Sequence, residues 1–124
     1  MMIKFYTNAN KFAESHRYIV EKNGHKKVTS KFLRDYYLHI AGTYVPGSGF
    51  IRINLSRIFF ANSHPMLSFN PSNESVESCV IKEIVQTIIH ESLHSAIIES
   101  GFKWSLENND EHELMVELMM RKVT

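Results

Sequence analysis

The chain has 124 residues, of which 44% are hydrophobic and 22% charged, and its formal net charge is +1. This length and composition predict one globular domain over residues 1–124, with a core that needs no disulfides. The nearly neutral charge gives no electrostatic reason to expect nucleic acid or an anionic membrane as a partner. With the single cysteine Cys79 and no apolar run long enough for a signal peptide or a membrane span, we expect a cytoplasmic protein.

The first third of the chain predicts one strand and two helices. The predicted elements are a strand over residues 3–6, a helix from Asn8 or Asn10 to about residue 24, and a helix over residues 31–38. Between residues 40 and 60 the hydrophobic period changes to two, which is typical of strands.

Residues 40–45 and 50–55 flank a glycine-rich turn and predict a β-hairpin. Apolar and polar side chains alternate along the second arm, so we expect one face on the core and one open face. We also interpret this arm as an exposed sheet edge. A helical turn over residues 56–60 and a loop with a short strand at residues 66–69 follow.

The most informative stretch is a long helix that begins between residues 73 and 78 and ends near Ser100. It carries His90-Glu91-x-x-His94. Residues four apart lie on the same face of a helix, so both imidazoles can reach one metal ion, most commonly zinc. Glu91 is rotated by roughly 100° from His90. It therefore flanks the metal, where a general base can take a proton from a metal-bound water.

The surroundings of the motif strengthen this interpretation. Apolar residues leave only a narrow polar stripe around His90 and His94, and two histidines and a carboxylate on a buried helix are costly to desolvate without partners. The alternative is an amphipathic helix whose histidines face water. Only structural context separates the two.

A catalytic zinc site needs a third protein ligand. The acidic and histidine candidates downstream of the motif are Glu99, Glu107, Asp110, Glu111, His112, Glu113 and Glu117. Glu99 is excluded because it lies on the opposite side of the same helix from His94. The last predicted helix, residues 110–122, has a thin polar stripe of Glu113, Glu117 and Arg121. If this stripe faces the motif helix, one carboxylate can bind the metal and a second can hydrogen-bond to a liganding imidazole.

Two alternatives to metal binding stay open for these residues. Asp110-x-x-Glu113 fits a capping box, in which Glu113 bonds the start of its own helix. Glu117 and Arg121 also fit an ordinary ion pair one turn apart. Glu117 or His112 are the other candidates for the third ligand.

At these residues the chain resembles the gluzincin metallopeptidases, in which HExxH is followed by a glutamate ligand that opens ExxxE. Eighteen residues lie between His94 and Glu113, and Glu117 supplies the second acidic position. Residues 40–122 look most like the minigluzincins and are also similar to the ImmA/IrrE-type peptidases, which cleave regulatory proteins. The chain departs from the larger gluzincins because it is too short for the subdomain that supplies an oxyanion-stabilising residue.

The resemblance implies a single zincin-like α+β domain, with a small antiparallel or mixed sheet packed on the HExxH helix and a C-terminal helix. It implies one zinc ion on His90, His94 and Glu113, with Glu91 as general base and Glu117 supporting a histidine. Tyr44, His39 and His16 are available as oxyanion-stabilising residues, but none is chosen.

We therefore predict a zinc endopeptidase that hydrolyses a peptide or protein by a zinc-bound water. An extended substrate would add to the predicted edge strand by backbone hydrogen bonds. That strand consists of Phe50, Ile51, Arg52, Ile53 and Asn54. The alternatives are a latent or non-catalytic zinc-stabilised interaction module and an ImmA/IrrE-like regulatory peptidase. Whether the protein is a monomer or a self-associating dimer stays undecided.

Overall fold

The computed structural model describes residues 2–45, 48–63, 75–103 and 107–123. Helices cover most of this part of the chain and three short strands form a small mixed sheet, so the predicted α+β class is confirmed. In chain order the elements are β1 (Met2–Tyr6), α1 (Ala9–Glu14), α2 (Arg17–Gly24), α3 (Ser30–Tyr37), β2 (Gly42–Tyr44), β3 (Phe50–Asn54), α4 (Leu55–Ser63), α5 (Val76–Glu99) and α6 (Asn109–Val123). The strand predicted at residues 66–69 lies outside the described residues.

Side-chain caps begin three of these helices, as their sequences predict. The oxygens of Asn8, Thr29 and Ser75 accept backbone N–H groups at the starts of α1, α3 and α5. The single helix predicted to end near residue 24 is instead two helices. The break follows Glu14, where the Ser15 hydroxyl donates to the Phe12 carbonyl at 2.6 Å. Such a side-chain bond competes with the backbone bonds of a continuous helix.

The sheet has the strand order β1-β3-β2. β2 and β3 are antiparallel neighbours, which confirms the hairpin. β1 runs parallel to β3 on the other side, with Met2 opposite Phe50. β3 is therefore the central strand, and the prediction that it is a substrate-binding edge is wrong. β1 pairs with Phe50, Ile51, Arg52, Ile53 and Asn54, and β2 pairs with the middle three of these residues.

The prediction that β3 has one open face is also wrong. Arg52 is 6% exposed and Asn54 is fully buried, as are Ile51 and Ile53. The guanidinium of Arg52 lies under α1 and donates to the Ser15 carbonyl at 3.4 Å. The Asn54 amide donates to the Ile40 carbonyl at 3.2 Å. The polar side chains of β3 thus point into a face that the N-terminal helices cover.

The other face of the sheet packs on α5. The buried cluster between them contains Ile51, Ile53, Ile58 and Val80. β2 approaches α5 so closely that a Cβ atom at Gly42 would lie 2.5 Å from Cγ2 of Thr87. Only glycine permits this approach. α6 then packs along α5, so β2 and α6 both lie beside the motif helix.

Across the described ranges, none of the helices combines the length and the apolar character that a membrane crossing requires.

Candidate metal centre

The two motif histidines meet on one face of α5. One helical turn separates His90 from His94, and their Nε2 atoms are 3.0 Å apart. The rings are nearly perpendicular, with centroids 4.7 Å apart. The side chain of His94 is 11% exposed and that of His90 is 38% exposed. The pair therefore lies at the border between the core and solvent, where a ligand from outside can reach it.

α6 brings Glu113 to the same point. Its Oε1 atom lies 3.3 Å from Nε2 of His94, and its Oε2 atom lies 3.8 Å from Nε2 of His90. The carboxylate is thus directed at the two imidazoles of the neighbouring helix. A capping-box glutamate would instead point back at the start of its own helix.

These three side chains fit a tetrahedral cation. Zinc bonds of about 2.0–2.1 Å to imidazole nitrogen or carboxylate oxygen put neighbouring ligand atoms about 3.3–3.4 Å apart in a tetrahedron. The observed separations are 3.0, 3.3 and 3.8 Å. Two nitrogens and one oxygen also form a donor set that zinc accepts, and three protein ligands leave a fourth position for water or substrate.

A second carboxylate lies next to this group. Potential ligand atoms of His90, Glu91 and His94 all lie within 4.8 Å of one another. By distance alone Glu91 is therefore a rival to Glu113. Their surroundings differ, because Glu91 is 7% exposed whereas the side chain of Glu113 is 49% exposed.

Burial dominates the electrostatics of Glu91. Burial and, after it, the negative charge of Glu113 raise the pKa of this carboxyl to about 8, against the lowering effect of a hydrogen bond from the backbone of Tyr44 in β2. In the absence of a cation, Glu91 consequently holds its proton near neutral pH.

The opposite shift applies to His94. Burial lowers its pKa to about 4, and the nearby His90 and His112 lower it in the same direction. His94 is therefore neutral at physiological pH. A neutral imidazole is the form that binds a metal ion.

His112, which the sequence predicts only as an alternative third ligand, contacts His94. It is 2% exposed, its Nε2 atom lies within hydrogen-bonding distance of Nδ1 of His94, and the two rings are stacked at 4.6 Å. If Nε2 of His94 is free for a metal, its Nδ1 carries the proton and donates it to His112. Such a bond fixes the orientation and tautomer of a liganding histidine.

The other predicted candidates lie apart from this contact. Glu117 is exposed, and none of the described hydrogen bonds or ion pairs joins it to an imidazole. The described contacts thus give His112 the supporting position that the sequence analysis assigns to Glu117. A signal was present in the sequence, since His112 adjoins Glu113 on the same helix.

The remaining candidates for a role at the metal centre either bond to other groups or are exposed. Glu99 accepts a hydrogen bond from Ser95 at 3.3 Å, and Glu107, Asp110 and Glu111 are exposed. His16 is buried, with Nε2 at 2.7 Å from the Thr43 hydroxyl.

A cleft of about 930 Å³ opens onto the candidate metal centre. His90, Glu91, His94, His112 and Glu113 all line one part of it. β2 forms a wall of the cleft and, among the strands that the structure describes, is an edge of the sheet that pairs only with β3. The site thus combines a set of potential metal ligands, a buried carboxyl group and a strand edge.

Comparisons of this chain with models of known families, with curated proteins and with solved structures find no match.

Proposed function

We propose that this protein is a zinc-dependent endopeptidase with a zincin-like catalytic domain. The observation that carries the proposal is the set of three potential ligand atoms, on His90, His94 and Glu113, at separations of 3.0–3.8 Å. Two of these residues come from α5 and the third from α6, so the tertiary packing assembles the set. Glu91 beside it supplies a group for proton transfer.

In this proposal the three residues hold one zinc ion. Zinc would supply Lewis acidity, which lowers the pKa of a bound water and polarises a carbonyl group. The carboxylate of Glu91, whose ionised form a bound zinc would favour, takes one proton from the attacking water and passes it to the leaving amine. Burial stabilises Glu91 in its protonated form, which holds that proton until the amine accepts it.

The free edge of β2 is the proposed binding surface for substrate. An extended peptide can pair with an exposed strand edge through backbone hydrogen bonds, which tolerates many side chains. β2 replaces β3 in this role, since the backbone of β3 is paired on both sides. Tyr44 connects this edge to the reaction, because its backbone hydrogen-bonds to Glu91. The proposed partner is therefore a peptide or an extended segment of a protein.

The test combines metal analysis with hydrolysis of an unstructured protein such as casein. We expect the purified protein, reconstituted at neutral pH, to bind one equivalent of zinc, and His90→Ala or His94→Ala to abolish this binding. Glu91→Gln should keep the zinc but lose hydrolysis by about 10²–10⁴-fold, the usual contribution of a general base.

Each outcome decides part of the proposal. A wild-type protein without zinc affinity would contradict the metal centre and the peptidase together. Zinc binding with no hydrolysis would support the non-catalytic interaction module instead. Equal hydrolysis by the wild type and Glu91→Gln would place the general base on another residue.

A further inference from the structure

The cleft extends well beyond the candidate metal centre. Its far part is formed by α2, α3 and the segment that follows α3. The side chains that line it there include Ile19, Lys22, Tyr36, Tyr37 and Ile40. All of these except Ile40 belong to the part of the chain that the resemblance to metallopeptidases does not cover. The N-terminal helices therefore contribute a surface to the same cleft that contains Glu91.

This far part is fixed to the strand edge beside the metal centre. Nε2 of His16 lies 2.7 Å from the hydroxyl of Thr43 in β2, and its Nδ1 lies 2.8 Å from the Phe12 carbonyl. Tyr37 stacks on the His16 ring at 3.9 Å, with the rings inclined by only 12°. The wall is consequently preformed, which reduces the entropy lost when a ligand binds.

The chemistry of the far part is apolar with a cation at its border. Ile19 and Ile40 are aliphatic, and Tyr36 and Tyr37 offer ring faces. Lys22 is exposed and supplies a positive charge, while the acidic side chains that line the described cleft, Glu91 and Glu113, belong to the metal centre. Such a surface takes a large apolar side chain and attracts a neighbouring carboxylate.

On the other side of the metal centre the groove has the opposite charge. A second cavity of about 380 Å³ also includes Gly42, His90 and Glu91. It contains Glu83, whose carboxylate accepts a hydrogen bond from Asn62 at 2.5 Å. A bound peptide would thus pass from a cationic, apolar region to an anionic one as it crosses the centre.

We propose that the α2–α3 part of the cleft is a substrate subsite, which selects a large apolar side chain and favours an acidic residue beside it, on the side where Lys22 lies. The subsite rests on the proposed function, since its occupant is the peptide that pairs with β2. The substrate class is therefore extended peptides in which an acidic residue lies near a large apolar one. Lys22 determines the charge preference, and the Tyr36 and Tyr37 rings determine the apolar preference.

The test measures binding, so it does not depend on catalysis. Three blocked peptides with alanine ends carry the central sequences Asp-Ala-Phe-Ala-Asp, Lys-Ala-Phe-Ala-Lys and Asp-Ala-Ser-Ala-Asp. Each is titrated by NMR into the Glu91→Gln protein with and without zinc. The symmetric sequences make the result independent of the direction in which the chain lies along β2.

We expect the acidic Phe peptide to bind at least about ten-fold more tightly than the Ser peptide, because a buried Phe ring leaves water. The acidic Phe peptide should bind about three- to ten-fold more tightly than the Lys peptide, because an exposed charge pair contributes about that much to affinity. Lys22→Glu should reverse this charge preference. Lys26→Glu, which makes the same charge change at an exposed position beyond α2, should leave the preference intact.

The result separates the subsite from the proposed function. Equal binding of the Phe and Ser peptides would overturn the apolar subsite, even if the wild type hydrolyses casein. An unchanged charge preference in Lys22→Glu would overturn the role of Lys22. The expected binding order in a protein that hydrolyses nothing would support the subsite and contradict the peptidase.

Discussion

The pH dependence of stability in the metal-free protein tests the electrostatics of the candidate site. Burial, together with the charge of Glu113, raises the pKa of Glu91 from 4.5 to about 8. The folded protein therefore keeps this proton at pH values where the unfolded chain has lost it. The resulting stability is fully present below pH 4.5 and is lost as the pH rises to 8, at about 1.4 kcal/mol per pH unit.

Two buried histidines act in the opposite direction. Burial lowers the pKa of His16 and of His94 from 6.5 to about 4 in each case. The stability that depends on their neutral form is present above pH 6.5 and is lost as the pH falls toward 4. Between pH 4.5 and 6.5 two histidines outweigh one glutamate, so stability rises with pH. Above pH 6.5 the contribution of Glu91 is the largest of the three, and stability falls.

We therefore expect the metal-free protein to be most stable near pH 6.5. From pH 6.5 to 8 Glu91 alone should lose about 1.6 kcal/mol and the two histidines should regain about 0.8 kcal/mol, so the net loss should be about 1 kcal/mol. Glu91→Gln removes the titrating group without changing its shape and should abolish this loss, whereas the exposed Glu99→Gln on the same helix should not. Zinc should also abolish it, because a nearby cation favours the carboxylate.

The measurement is urea denaturation in the presence of EDTA at about pH 5.5, 6.5 and 8, for the wild type and the two variants. A wild-type profile that is flat from pH 6.5 to 8 would refute the reasoning. So would a decline that Glu91→Gln shares, since the titrating group would then be another residue.

Two further predictions concern the ligands and their support. Glu113→Ala should sharply weaken zinc binding in a competition assay with a chelator, whereas Glu117→Ala should have little effect; a loss of about 1 kcal/mol of stability with full zinc affinity would instead make Glu113 a cap. His112→Leu should weaken zinc binding about 10–100-fold, and His112→Gln, which retains an acceptor for Nδ1 of His94, should restore part of it. Equal affinities for the two His112 variants would assign His112 to packing alone.

Local sequence patterns were sufficient for most of the helices and for the hairpin. The caps at Asn8, Thr29 and Ser75 and the apolar period of each segment depend on neighbours within a few residues. Gly101 ends the motif helix with a φ of 108°, a conformation that glycine adopts readily. These features need no knowledge of tertiary structure.

The strand order and the burial of β3 depend on distant parts of the chain. Met2 pairs with Phe50, and no local pattern in either segment indicates this partner. The alternation around Arg52 is the same whether its polar face meets water or a covering helix. Arg52 is buried because α1 lies above it and Ser15 offers a carbonyl group, a contact between residues 37 positions apart. The interpretation as an open edge strand failed for this reason.

The candidate site also has one part that the local sequence predicts and one part that depends on tertiary packing. His90 and His94 meet because four residues span one helical turn, which the sequence alone predicts. Glu113 and His112 approach them only through the packing of α6 on α5. Several acidic residues around this position satisfy the spacing equally well. The neighbouring His112 was named only as an alternative third ligand, because which face of α6 meets α5 is a property of the tertiary structure.

The two carboxylates at the site support different roles because their surroundings differ. A metal ligand must be ionised, and ionisation costs less for the half-exposed Glu113 than for the buried Glu91. A proton carrier must instead exchange its proton near neutral pH, and burial raises the pKa of Glu91 to about 8. The charge on Glu113 contributes to that shift in the metal-free protein, whereas a zinc ion bound to Glu113 would oppose it and favour the carboxylate that a base requires. When two acidic groups of one site have such different environments, one can bind the metal while the other transfers a proton.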